Sequence, residues 1–436
     1  MVHLGLGSFF RAHQAAYTDR AADGGEWGIA AFTGRRPELA ETLAAQDGLY
    51  TLITRAAGGD TFDVVRSLSR THAAADSEAW LGYLAAPEVR VVTLTVTEAG
   101  YRRNAAGRLN RSDRAVAADV AALREDARAP VGTAPARLVA GLLARRDSDA
   151  GPLTLVPCDN LPDNGRVLET VLRDMADAVD PTLRAWLDTS VSTAATMVDR
   201  ITPEPTDADR RAVLAATGID DRSPVATEPF SEWVICGNFP GGRPAWETAG
   251  AVLTHDVVPF ENRKLWLLNG AHSLLAYAGP LRGAATVDEA VADPTCARWL
   301  QDWWHTCTPH LELPPDDLAA YRAALLERFA NPRMRHALTQ IATDGSQKLP
   351  VRILPVLRLE RAAGRLPDAA VTVLATWVLH LRGAGAPVKD VRAAELVDAA
   401  GGPLHAAVPR VLAALDPALA DDTELVAAVR ASAAAG

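Results

Sequence analysis

The run ENRKLWLLNGAHS, residues 261–273, sets Lys264, Asn269 and His272 into an otherwise apolar stretch. At about 100° per residue of α-helix, with Lys264 as origin, Glu261 falls at about 60°, His272 at about 80° and Asn269 at about 140°. All four polar groups share one half of the helix, and Trp266 and Leu267 lie on the other, where they can anchor it. A lysine buried on such a helix loses hydration, which lowers its pKa toward neutrality, and that is what a general base requires. A lone His or Asn in this setting reads as a satisfied core group. Four together, with a glutamate one turn before the lysine, point to proton transfer at a hydroxyl or carbonyl.

A second polar node is LVPCDNLPDNG, where a strand ends at Pro157 and delivers Asp159, Asn160 and Asn164. In an open α/β sheet the ligand lies beyond the carboxyl ends of the strands, so Asn160 stands where a substrate would sit; the same residues also make a turn that needs no ligand. A third is VHLGLGSFFRAH. Gly5 and Gly7, with Ser8 and Phe9, follow the first strand and lead to a helix beginning near Arg11. Such a glycine turn brings backbone N–H groups to a pyrophosphate at the positive end of a helix, although Phe10 replaces the third glycine of the usual fingerprint and a plain strand-to-helix turn has the same sequence. Where the second strand ends, GIAAFTGRRPE supplies Arg35 and Arg36 instead of an acidic residue for the adenosine ribose. The two arginines suit a 2′-phosphate, stacking on adenine, or a solvated surface pair, which leaves NAD and NADP both open.

These residues need elements to hold them. Up to about residue 257, short β-branched runs (2–6, 28–32, 89–96, 153–157, 192–198, 233–236, 252–257) alternate with helical stretches, the pattern of a parallel sheet covered by helices. From there on Ala, Leu, Arg and Trp dominate at helical spacing, near 261–279, 285–305, 315–329, 333–343, 350–363, 368–383 and 388–400. The expected fold is therefore an α/β Rossmann-type domain over 1–257 and a mostly α-helical substrate and catalytic domain over 258–436. A chain of 436 residues, 48% of them hydrophobic, is long enough for two cores.

The net charge of -10 argues against nucleic acid or an anionic membrane as partner. No apolar run reaches the length of a membrane span, and the chain opens on a strand instead of a signal sequence, so a cytoplasmic location is expected. The four cysteines form no CxxC pair, and the spacing of HTCTPH (His305, Cys307, His310) fits no zinc pattern, so no metal is expected.

Taken together, GLGSFFRAHQAAYTD, AAQDGLYTL, TVTEAGY, PCDNLPDNG, MVDRITP, EPFSEWVI, PFENRKLWLLNGAHS and DGSQKLP resemble the polyol-specific long-chain dehydrogenases of the mannitol dehydrogenase family, over residues 2 to about 355. The resemblance implies a nicotinamide cofactor, a cleft between the two domains, metal-independent chemistry, and a small polyol, ketose or uronate as substrate for a monomer or small homo-oligomer. It makes Lys264 the general acid/base, pairs Asn160 with Asn269 as oxyanion donors, gives Glu261 a proton-relay role, and has His272 orient the reacting oxygen. Asp199 and Lys348 match positions that shape the substrate site. Where the family carries an arginine eight residues before that lysine, this chain has Gln340, with Arg333 and His336 earlier on the expected helix as substitutes. An N-terminal extension common in the family is expected to be missing. The sequence favours interconversion of a linear polyol and its ketose; a uronate reductase is the alternative within the same chemistry. A silent dinucleotide sensor is a further one, though a sensor would have no need of the lysine.

Overall fold

The computed structural model describes residues 1–435, and the chain divides into two compact units, Met1–Val258 and Pro259–Gly436. The first contains twelve strands: β1 (Val2–Leu4), β2 (Ile29–Phe32), β3 (Tyr50–Ala56), β4 (Gly59–Val65), β5 (Leu68–His72), β6 (Val91–Leu94), β7 (Leu153–Pro157), β8 (Val191–Thr193), β9 (Ala195–Asp199), β10 (Val225–Thr227), β11 (Glu232–Cys236) and β12 (Val252–Thr254). Six form one sheet in the order β5-β2-β1-β6-β7-β8, every pairing parallel. β1, β2, β6 and β7 are buried along their whole length, as strands covered by helices on both faces must be. The strand order reverses beside β1, between its neighbours β2 and β6, which is the point where ligands bind in such sheets.

Two smaller three-stranded sheets complete the unit, β10-β3-β4 and β12-β11-β9. The hairpin β3–β4 is not among the expected strands; Gly59, at φ 140°, follows its turn. Nor is the run 192–198 one strand. β8 extends the parallel sheet and β9 pairs antiparallel with β11, the chain breaking at Ala194. A Cβ on Gly165 or Gly237 would come within 3.0 Å of the backbone there, so the chain crosses tightly packed neighbours and has no room to continue straight. The side-chain amide of Asn164 then ties the sheets, donating to the Thr196 carbonyl and accepting from its N–H, both at 2.9 Å.

In the second unit the helix Asp368–Leu381, buried on most faces, packs against Ala271–Leu281, Pro294–Cys307 and Thr423–Ala435. Several expected helices are shorter or broken, 388–400 among them, where only Ala393–Ala399 is helical. The stretch 285–305 divides at Asp293, whose carboxylate caps the helix that starts at Pro294. Prolines split 350–363, giving Gly345–Arg352 and Leu354–Ala362. Only Leu338–Ile341 of 333–343 is helical, because residues 331–337 turn back to pair Ala337 with Thr286. No described helix is long and apolar enough to cross a membrane.

Candidate active site

Gly5, immediately after β1, has φ 117°, and a Cβ there would lie 2.6 Å from Thr95 Oγ1 and 2.9 Å from the Thr95 carbonyl. Only glycine lets the loops after β1 and β6 meet this closely. Thr95 Oγ1 donates to the Gly5 carbonyl at 2.8 Å and contacts His3 Nε2. His3 also bonds Thr93 and stacks on Phe10 with ring centroids 3.4 Å apart, so Phe10 fills the strand–helix interface where the usual fingerprint has a glycine. Burial drives the His3 pKa down to about 3, which keeps the ring neutral.

Beyond this turn opens a cavity of about 530 Å³ whose lining includes Gly5, Gly34, Arg35, Thr95, Thr97, Arg102 and Arg137. A second of about 430 Å³, mostly apolar, continues past Gly34, Arg35, Gly132 and Arg137 to Ala74, Trp80 and Val131. No Asp or Glu lines either one. A glycine cradle opening on a carboxylate-free cavity with three arginines, followed by an apolar slot, suits the phosphates and adenine of a dinucleotide.

Of the residues assigned to the cofactor, Gly5 and Arg35 line this space; Gly7, Ser8 and Phe9 are partly buried and outside its lining, and Arg36 is exposed. The helix does not begin near Arg11 but spans Ser8–Ala12, breaks at His13 and resumes at Gln14–Arg20. Arg11 is a correction of substance. Its guanidinium is buried and donates to the carbonyl and hydroxyl of Ser223, a bracing contact within the domain, and Arg11 does not line either cavity.

Asn160 lies exposed three residues beyond β7, and Asp199 is buried at the end of β9. Tyr101 donates a short hydrogen bond to Asp159, whose carboxyl is pushed above the usual range by burial. Asp159 and Asn164 therefore hold the loop that carries Asn160.

In the second unit, Lys264–Gly270 is a π-helix between the α-helices Val258–Arg263 and Ala271–Leu281. This corrects the angular reading. Bonding from i to i+5 brings residues five apart together, so Asn269 comes nearer to Lys264 on the helix face than α-helical geometry allows. Glu261 and His272 are buried, while Lys264 and Asn269 are half-buried, which makes Lys264 less enclosed than expected. Sequence reasoning gave no hint of what holds this register. Trp303 and Trp304 donate their indole N–H groups to the carbonyls of Trp266 and Leu267, each at 2.8 Å, and Arg352 reaches the Asn269 carbonyl and Ser273 hydroxyl at 3.3 Å. Adjacent indoles on a helix facing the apolar run were the available signal.

His272 packs on Phe329 and on His336, with ring centroids 4.9 and 5.2 Å apart. Of the two substitutes for the absent arginine, His336 packs against His272, and Arg333 is an exposed residue. Gln340 is exposed as well, and what it contributes in the structure is its backbone carbonyl, which accepts from Thr343. Lys348 Nζ donates to the Ile341 carbonyl and Thr343 hydroxyl, and its pKa is lowered by burial first and by Arg352 second. Among the described residues no group of three or more His, Cys, Asp or Glu side chains could hold a metal ion.

Comparison with known proteins covers both units. Residues 1–248 match the mannitol dehydrogenase Rossmann domain and 256–435 the mannitol dehydrogenase C-terminal domain. A D-arabinitol 4-dehydrogenase of Ralstonia nicotianae is 40% identical over 88% of this chain and 83% of its own length. A D-mannonate oxidoreductase of Escherichia coli is 38% identical over 88% and 80%. The mannitol 2-dehydrogenase of Pseudomonas fluorescens, solved in ternary complex with NAD and D-mannitol, superposes with a TM-score of 0.82 at 33% identity, covering 100% of this chain and 91% of that one.

Proposed function

The chain belongs to the mannitol dehydrogenase family, and from that premise we propose that it is an NAD-dependent secondary-alcohol dehydrogenase interconverting a linear polyol and its ketose. The observation that carries the reading is the π-helical register of Lys264–Gly270, which draws Asn269 toward Lys264, with His272 in the first turn of the α-helix that follows. When bound, the nicotinamide supplies the acceptor for the hydride that leaves the carbinol carbon. Lys264, neutral at the start of oxidation, takes the hydroxyl proton; in reduction its ammonium returns it. Asn269 and Asn160 donate hydrogen bonds to the developing alkoxide, a role worth about 3–4 kcal/mol per donor in comparable sites. His272 orients the oxygen, and Glu261 passes the proton on. Asp199 and Lys348 shape the substrate site.

Lys264→Ala tests the assignment. The variant is expected to bind NADH as the parent does and to lose at least about a hundredfold in kcat on polyols. Undiminished turnover would refute the role of Lys264. A uronate as substrate is favoured by a different observation, the basic set of His336, Lys348 and Arg352, since a carboxylate needs such partners. Comparing kcat/KM for mannitol, arabinitol and mannonate with NAD decides between the two.

A further inference from the structure

We propose that Arg137 holds a phosphate of the dinucleotide's adenosine half. The proposal rests on the functional reading only in taking the ligand to be a dinucleotide. Arg137 sits in the first turn of the helix Ala134–Asp147, is 6% exposed, and lines both cavities. Its Nη2 is buried and has no hydrogen-bond partner, while Nη1 has a single long contact of 3.5 Å to the Thr33 carbonyl.

Arg145, two turns further along the same helix, is what a buried structural arginine looks like in this protein. It is fully buried, and its three nitrogens donate to the carbonyls of Leu84, Ala86, Ala150, Gly151 and Pro152. Arg137 has instead the faces of Trp80 and Phe32, at 5.1 and 5.8 Å, which fix its plane without neutralising it. Burial lowers its pKa to about 10, so it remains charged at neutral pH. Of the other two arginines on the cavities, Arg102 is paired with Asp113 and Arg35 is exposed. A buried, oriented and unpaired guanidinium in a carboxylate-free cavity is complementary to an anion with two acceptor oxygens.

A dinucleotide offers that chemistry at two places. The Thr33 contact lies just past β2, where the adenosine ribose and any 2′-phosphate belong in this fold, and the same cavity reaches Gly5, where the pyrophosphate belongs. Calorimetric titration of the full chain with adenosine, 5′-ADP and 2′-AMP separates the two. One phosphorylated ligand is expected to bind about 10- to 100-fold more tightly than adenosine, the range of a charge-assisted hydrogen bond. An advantage for ADP identifies the pyrophosphate; one for 2′-AMP identifies the 2′-phosphate. Arg137→Met should abolish the advantage while adenosine affinity stays within about threefold, and Arg137→Lys should restore part of it.

Equal affinity for all three ligands in the unsubstituted protein overturns the proposal without any variant. So does an Arg137→Met protein that keeps the advantage or loses adenosine binding to the same degree. Polyol and uronate turnover, assayed separately, reports on the enzyme reading. Turnover in a protein whose phosphate advantage survives Arg137→Met sinks this inference alone, whereas an Arg137-dependent advantage without any turnover sinks the enzyme reading alone.

Discussion

Gly270→Ala should destabilise the second unit, against the sign that helix propensity gives. In a helix interior the change from glycine to alanine is ordinarily favourable by about 1 kcal/mol. Here the new Cβ would sit 2.7 Å from Trp303 Nε1, 2.9 Å from its Cζ2 and 3.0 Å from its Cε2. The indole is fully buried and must move, at an overpacking cost of about 1–3 kcal/mol. Moving it breaks the 2.8 Å bond to the Trp266 carbonyl and strands two buried polar groups, a further cost of about 1–3 kcal/mol. The net is a loss of about 1–5 kcal/mol, measurable as a lower midpoint in urea unfolding. Since the indole holds the π register, kcat should also fall about a hundredfold, the typical effect of a displacement near 1 Å in a reacting group. Trp303→Phe removes the part of the ring that the Cβ would meet. The double variant should therefore be more stable than the sum of the single losses by at least about 1 kcal/mol. A Gly270→Ala protein as stable as its parent, or a strictly additive cycle, refutes the reasoning.

Gly5→Ala should cost about 1–3 kcal/mol of backbone strain and weaken NADH binding, read by quenching of intrinsic fluorescence, because φ 117° and the 2.6 Å approach to Thr95 both exclude a side chain. His3 gives the first unit a defined acid sensitivity. Its folded pKa of about 3 lies below the unfolded value near 6.5. The unfolded chain therefore binds the extra proton between those values, and stability is lost as pH falls through that window by up to about 1.4 kcal/mol per pH unit. Urea midpoints between pH 7 and 5 should drop less steeply for His3→Gln than for the parent.

How much of this was legible in the sequence depends on the range of the forces involved. The inner strands β1, β2, β6 and β7 could be read because a strand buried on both faces must be a continuous apolar run, whereas the edge strand β5, LSRTH with Ser69 and Arg70 exposed, has no such run and was missed; Gly5 could be read because the turn after β1 is local. Phe10 was visible only as a missing glycine. Its stacking on His3 depends on β1 and the first helix being packed together, and the same packing turns Arg11 inward to Ser223. The strand break at Ala194 was hidden for a similar reason, since Gly165 and Gly237, which crowd it, come from distant segments.

The π-helix is the sharpest case. Residues 261–273 contain no proline, and their polar groups fall on one half of an α-helix as readily as on a π-helix, so local sequence does not choose the register. The choice is made by donors 37 residues away, the indoles of Trp303 and Trp304, which satisfy carbonyls within the segment. Arg137 follows the same logic. In TAPARLVAGLLARRD it is one arginine among three, and Arg145 carries the same charge on the same helix. What separates them is where their nitrogens end, at five carbonyls for one and at a cavity for the other. A charge left at a cavity without a counter-ion carries a desolvation cost that an anion from outside the chain would offset, and Arg145, with its carbonyls, has no such opening.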